Sequence, residues 1–138
     1  MYFYPMNKKL IIIGAFTALI AVVIGAFGAH GLKTVLNPTQ LNTFEIGVRY
    51  QFYHSFAILL SGILFFHFPS KNIITAGWFF LLGILLFSGS LYLLACREFL
   101  GIEGWTFLGP LTPIGGIFFI LGWGMIIVGV GTSKSLNR

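Results

Sequence analysis

The sequence predicts an all-α integral membrane protein: a four-helix bundle of up-down topology with both termini in the cytoplasm. Three observations carry this. Hydrophobic residues make up 57% of the 138 and charged residues 8%, against roughly a quarter charged in ordinary soluble domains. Four long apolar stretches recur, three of them without a charge. Helices are the only open-ended structures that satisfy their own backbone in lipid, and long runs without strict alternation do not suit a barrel. Lysine and arginine also fall unequally on the two sides that these stretches define.

The first stretch, residues 10–29, is 20 residues long, which gives about 30 Å of helix, the thickness of a hydrocarbon core. Lys8-Lys9 and the small residues of Ala26–Ala29 resemble a secretory signal. The apolar run is longer than a signal's core and three more stretches follow, so it is expected to stay as the first span. Met6 competes with Met1 as the native start. The second stretch, 44–67, is nearly all apolar from Phe52 to Phe66, but its first part carries Glu45, Arg49, Gln51 and His54. The third and fourth occupy 73–96 and 111–130. Together they make residues 1–138 a single membrane domain, multi-pass in a bacterial inner or plasma membrane.

The connections differ. Phe68-Pro69-Ser70-Lys71-Asn72 reads as a tight antiparallel hairpin, with Asn72 suited to a helix start. Residues 30–43 contain Asn37-Pro38-Thr39, a break after which Thr39 or Thr43 is expected to cap the second helix. Residues 97–110 carry Phe99, Leu100, Ile102, Trp105, Phe107 and Leu108. That segment is too apolar for a solvated loop and is expected in the interface, with Trp105 at headgroup depth. Lys8, Lys9, Lys71, Lys134 and Arg138 lie on one side, and Lys33, Arg97 and Arg49 on the other. The positive-inside rule then puts the termini and the hairpin in the cytoplasm.

The residue counts exclude much chemistry. The only acids are Glu45, Glu98 and Glu103, there is no aspartate, and Cys96 is the one cysteine. Aspartate triads, calcium loops, disulfides and cysteine-rich metal sites are therefore out. No cofactor or metal motif is present. The net charge of +5 reads as orientation and attraction to anionic headgroups, not as a nucleic-acid surface.

Small residues recur at helical spacing: Gly14, Ala18, Ala21, Gly25 and Gly28 in the first stretch, Ala76, Gly83 and Ser90 in the third, Gly115, Gly122 and Gly129 in the fourth. Such stripes let helix backbones approach in lipid. They read as packing inside one bundle, with a self-association face or sliding seam as the alternative.

Four strings add a resemblance: Gly25-Ala-Phe-Gly-Ala-His-Gly-Leu-Lys33, Tyr50-Gln-Phe-Tyr-His54, Phe87-Ser-Gly-Ser-Leu-Tyr-Leu-Leu94 and Gly109-Pro-Leu-Thr-Pro-Ile-Gly-Gly116. In order and spacing the chain resembles, over roughly residues 7 to 130, the transmembrane protein 256 family, also called domain-of-unknown-function family 423. The resemblance implies a four-helix integral membrane protein and brings no activity, substrate or catalytic residue.

The polar residues gather in what the topology makes the outer half. The candidates are His30, Glu45, Arg49, Tyr50, Gln51, His54, Ser88, Ser90, Arg97 and Thr112. At 100° per residue Tyr50, His54 and Ser61 share one arc, and Glu45 and Arg49 form an i,i+4 pair on another. His54 reads three ways: a core histidine bonded to its neighbours, a group lining a ligand or proton path, or a metal ligand with His30. Glu45–Arg49 reads as an interfacial ion pair or, through Arg49 with Arg97, as an anion or headgroup site. His30 is expected to cap the first helix, with Gly31 left-handed after it. The two prolines of Gly109–Gly116 read as a tolerant first helical turn or as a broken entry exposing backbone to a cavity.

No nucleophile–base–orienter set is recognisable. The sequence therefore points to a membrane binding or assembly module, whose partners are lipids and a second copy or another membrane protein. The alternative is a small oligomeric transporter or channel with its polar site in the outer half.

Overall fold

The computed structural model describes residues 5–133. Met1, Lys134 and Arg138 lie outside the described residues. Among the described residues the chain forms four long helices and no strand.

Helix α1 spans Lys8–His30. Asn7 caps it, its side-chain oxygen accepting the Leu10 N–H at 3.3 Å. At the far end Gly31 has φ −77°, not the left-handed value expected. The chain instead tightens into a 3₁₀ turn at Leu32–Thr34, which uses the last carbonyls without a reversal.

Helix α2 spans Pro38–His67. Its cap is Asn37, not Thr39 or Thr43: the Asn37 side chain accepts the Gln40 N–H at 2.9 Å and Gln40 Oε1 accepts the Asn37 N–H at 3.0 Å. Pro38 explains the choice, because its fixed φ and missing N–H suit the first helical position, so the cap must precede it. The connection after α1 is correspondingly shorter than residues 30–43.

Helix α3 spans Lys71–Leu100. Ser70, one residue past Pro69, caps it by accepting the Asn72 N–H at 3.2 Å, so Asn72 is already inside the helix. Midway, Ile84–Ser88 form a π-turn. At the end Gly101 takes φ +65°. Its N–H donates to Glu98 O at 3.3 Å and the Ile102 N–H to Arg97 O at 2.9 Å. That is a Schellman closure, in which glycine meets no Cβ penalty.

Helix α4 spans Leu108–Thr132. Pro110 falls in its first turn, where the backbone donor is not needed, whereas Pro113 lies inside the helix and forgoes one bond; the helix nevertheless runs unbroken through Gly115-Gly116. The broken entry does not form.

Three helical segments are long and apolar enough to cross a membrane: Lys8–Thr34, Lys71–Leu100 and Leu108–Thr132. Helix α2 has the length, but Glu45, Arg49, Gln51 and His54 dilute its apolar character.

Consecutive helices are antiparallel. The Asn7 N–H donates to Gly62 O at 3.2 Å, joining the start of α1 to the end of α2. Gly129 lies against Ile73, joining the end of α4 to the start of α3. Helix α1 packs chiefly on α2 and α4 chiefly on α3, while α2 and α3 pack on each other. The main core is Leu10, Ala57, Ile58, Ala76, Phe80, Ile84 and Phe119.

The small-residue stripes lie in these seams. A methyl on Gly14 would meet Leu59 and the Ser55 carbonyl, and one on Gly28 would meet Phe44. Those on Gly83, Gly115 and Gly122 would meet Phe119, Phe87 and Phe80. A second cluster of Leu32, Leu36, Phe44 and Ala95 closes the end opposite the Lys71 hairpin. Helices of 30 residues such as α2 reach about 45 Å, against about 30 Å of hydrocarbon.

Candidate functional site

Helix α2 carries most of the polar side chains that the sequence singles out, and its neighbours decide what each one does. Gln51 is 4% exposed and joins three helices. Its Nε2 donates to Thr17 O of α1 at 2.9 Å, and its Oε1 accepts the Tyr92 hydroxyl of α3 at 2.7 Å. The Ser55 hydroxyl donates to the Gln51 carbonyl at 2.7 Å. A buried primary amide with its oxygen and one N–H engaged holds those helices in register.

One turn further along α2, His54 is buried. Nδ1 lies 2.8 Å from Tyr50 O. A carbonyl only accepts, so Nδ1 carries the proton and Nε2 offers a lone pair. That lone pair meets the Trp123 indole N–H of α4 at 3.4 Å, a long bond. The ring stacks on Phe119, with centroids 3.5 Å apart and planes 8° apart. Tyr50 lies over Phe87 at 4.6 Å, with 40% of its surface exposed. His54 is thus a neutral bridge from α2 to α4.

A third pair joins α3 to α4. The Ser90 hydroxyl donates to Phe87 O at 2.9 Å and lies 2.7 Å from Thr112 Oγ1. Ser90 has one proton, given to Phe87, so Thr112 is the donor between them. Ser88, two residues away in the π-turn, is fully buried, and its hydroxyl has no hydrogen-bond partner.

The remaining candidates do not join this interior. His30, Glu45, Arg49 and Arg97 are all exposed. Among the described residues none of the four makes a side-chain hydrogen bond or ion pair, so the expected Glu45–Arg49 bridge is not formed and His30 caps nothing. An exposed i,i+4 pair is worth only a few tenths of a kcal/mol, which water or headgroups readily replace. Ser61 is buried but makes no bond to another helix, its hydroxyl donating to Ala57 O at 2.8 Å in its own helix. Among the described residues no three His, Cys, Asp or Glu side chains are placed to hold a metal.

Two partners escaped the reading by spacing. Tyr92 and Trp123 sit among apolar residues of α3 and α4, and only the need of a hydroxyl or indole N–H for an acceptor in an apolar layer hints at them. Around the interior, three recesses open sideways. One of about 300 Å³ between α1 and α3 is lined by Phe16, Ile20, Leu85 and Gly89, with Gln51 and Tyr92 at its back. One of about 440 Å³ is lined by Tyr53, Phe56, Leu60, Ile63 and Trp123. A third lies beside Arg49.

Comparison with known proteins agrees with the strings read from the sequence. A family model described as a protein of unknown function (DUF423) matches residues 24–116. A UPF0382 membrane protein of Staphylococcus saprophyticus is 43% identical over 122 residues, covering 88% of this chain and 96% of that relative. The UPF0382 membrane protein YwdK of Bacillus subtilis is 41% identical over 129 residues, covering 88% and 94%. No solved structure matches.

Proposed function

The chain belongs to the DUF423 family of membrane proteins of unknown function, and on that premise we propose that it is a four-span binding and assembly module of the bacterial cell membrane. Helix α2 supports the fourth span. It packs along α1 and α3, and helices that cross hydrocarbon carry a packed neighbour through the same layer. Its Gln51 faces α1 and α3 and its His54 faces α4, the arrangement that lets polar groups lie at membrane depth. Both termini face the cytoplasm in this reading, because the sequence assigns Lys8, Lys9, Lys71, Lys134 and Arg138 to that side and only Lys33, Arg49 and Arg97 to the other.

The carrying observation is that Gln51, His54, Ser90 and Thr112 are engaged by neighbouring helices of the same chain. They act as glue, which leaves the outer surface for work. That surface is strongly apolar on α1 and α4, with Ile12, Ile120 and Ile127 67%, 72% and 73% exposed, and it carries the lateral recesses.

Reconstitution in liposomes tests this. The protein is expected to conduct no protons or ions, and a photo-crosslinking side chain at Ile120 or Ile127 should capture a lipid or a membrane protein. A proton or ion flux abolished by His54→Gln would overturn the reading in favour of transport.

A further inference from the structure

We propose that the recess between α1 and α2 at the glutamate-bearing end binds one phospholipid with a primary-amine headgroup. This rests on the reading that α2 crosses the membrane.

The recess has a volume of about 220 Å³. Gly25, Gly28 and Ala29 of α1 form one side, and Glu45 and Arg49 of α2 stand at the other. The α1 side is mostly backbone, because Gly25 and Gly28 carry no side chain; they let α1 approach Val48 and Phe44 of α2, which a methyl would meet at 3.1 Å and 2.6 Å. Glu45 and Arg49 are one turn apart, with the acid N-terminal, the favourable order for a helical pair. They nevertheless do not pair, and neither has another partner among the described residues. Two opposite charges that share a recess without touching suit a ligand that carries both.

Depth selects the ligand. From His67, beside the Lys71 hairpin, about 20 residues of helix cross the hydrocarbon layer. That count ends at Val48, so Arg49 stands at the edge of the layer, where its long side chain reaches the phosphates of the opposite leaflet, and Glu45 stands one turn beyond, where the amines lie. The same flank of α2 then turns apolar. At 100° per residue Phe52 and Phe56 share the arc of Glu45 and Arg49, and their rings meet edge-on at 5.1 Å. An acyl chain hanging from the headgroup would lie along them.

The charges select further. The planar fork of Arg49 matches a phosphate diester, and the Glu45 carboxylate accepts N–H bonds from an ammonium two carbons away. A glycerol headgroup offers Glu45 only neutral hydroxyls, without the charge that strengthens the bond, and a choline headgroup has no N–H to give. The amine-bearing phospholipid is therefore favoured over both.

The full chain, purified in mild detergent, is given an equimolar mixture of phosphatidylethanolamine, phosphatidylglycerol and phosphatidylcholine and read by native mass spectrometry. One phosphatidylethanolamine should be retained, about tenfold over the others, the scale of one charge-assisted hydrogen bond. Glu45→Gln should erase the preference but keep phospholipid bound, and Arg49→Gln should lose all three. Ala29→Leu fills the recess without touching a charge and should lose them as well; Ala29 is exposed, so the fold tolerates it. Equal retention of the three lipids by the native chain would overturn the proposal. So would undiminished retention by Arg49→Gln or Ala29→Leu, or displacement of the lipid by free glycerophosphoethanolamine. Failure here leaves the liposome result untouched, so the two readings fail separately.

Discussion

Gly115 and Gly116 are adjacent in α4 and face different surroundings. A methyl built on Gly115 meets the backbone of α3 at the π-turn: it contacts the Phe87 nitrogen and comes within 2.8 Å of Phe87 Cα and of Cβ. Carbon atoms prefer about 3.5–4.0 Å, so the two helices must part by roughly 1 Å, and backbone cannot swing aside as a side chain would. A methyl on Gly116 has Phe87 Cδ2 at 3.9 Å as its nearest neighbour, which is ordinary contact. Both substitutions to alanine gain the same helix propensity, about 1 kcal/mol, so that term cancels in the comparison. The difference that remains is the clash, about 1–3 kcal/mol for overpacking. Gly116→Ala should match or exceed the native chain in an unfolding titration in mixed micelles, and Gly115→Ala should fall below Gly116→Ala by that margin. Equal stability of the two variants would refute the close α3–α4 approach.

Three further outcomes follow from the interior bonds. His54→Gln should be nearly silent, because the amide supplies both a donor and an acceptor, whereas His54→Leu should cost about 1–3 kcal/mol by stranding the Trp123 N–H; equal effects in the same titration would remove the bridging role. Gln51→Leu should destabilise by orphaning the Tyr92 hydroxyl, and adding Tyr92→Phe should recover about 1 kcal/mol in a double-mutant cycle; an additive pair would show no bond between them. Ser88→Ala deletes a buried hydroxyl that has no partner, so stability should hold or rise, and a loss above about 1 kcal/mol would mean the hydroxyl is engaged.

The helices were legible in the sequence because lipid imposes long apolar runs, and three of those runs carry no charge. The punctuation was less so. Thr39 and Thr43 looked like caps by residue type, but Pro38 had already set the first helical position. Gly31 and Gly101 are equivalent by composition, and only Gly101 turns left-handed, because a Schellman closure ends its helix whereas a 3₁₀ turn continues the chain after Gly31. Nothing in Gly83-Ile-Leu-Leu-Phe-Ser-Gly89 announces a π-turn, which arises where α4 packs against α3. For the polar site, spacing grouped residues of α2 correctly into arcs, but a hydrogen bond is made between helices. Whether Gln51 meets Thr17 or His54 meets Trp123 depends on rotations that no single segment encodes. Glu45 and Arg49 showed the converse: a favourable spacing too weak to hold an exposed pair.

The pattern of neighbours has a consequence for synthesis. Helix α1 rests mainly on α2, α2 on α3, and α3 on α4, so most contacts join segments made one after the other. Loop-closure costs stay low when partners are near in sequence. Each helix after the first finds a packing partner already made, and the Gln51 amide reaches α1, made before it, ahead of the arrival of Tyr92. The Thr112 bond to Ser90 and the Trp123 bond to His54 wait for the last segment, so they are the final latches of an assembly that proceeds in the order of translation.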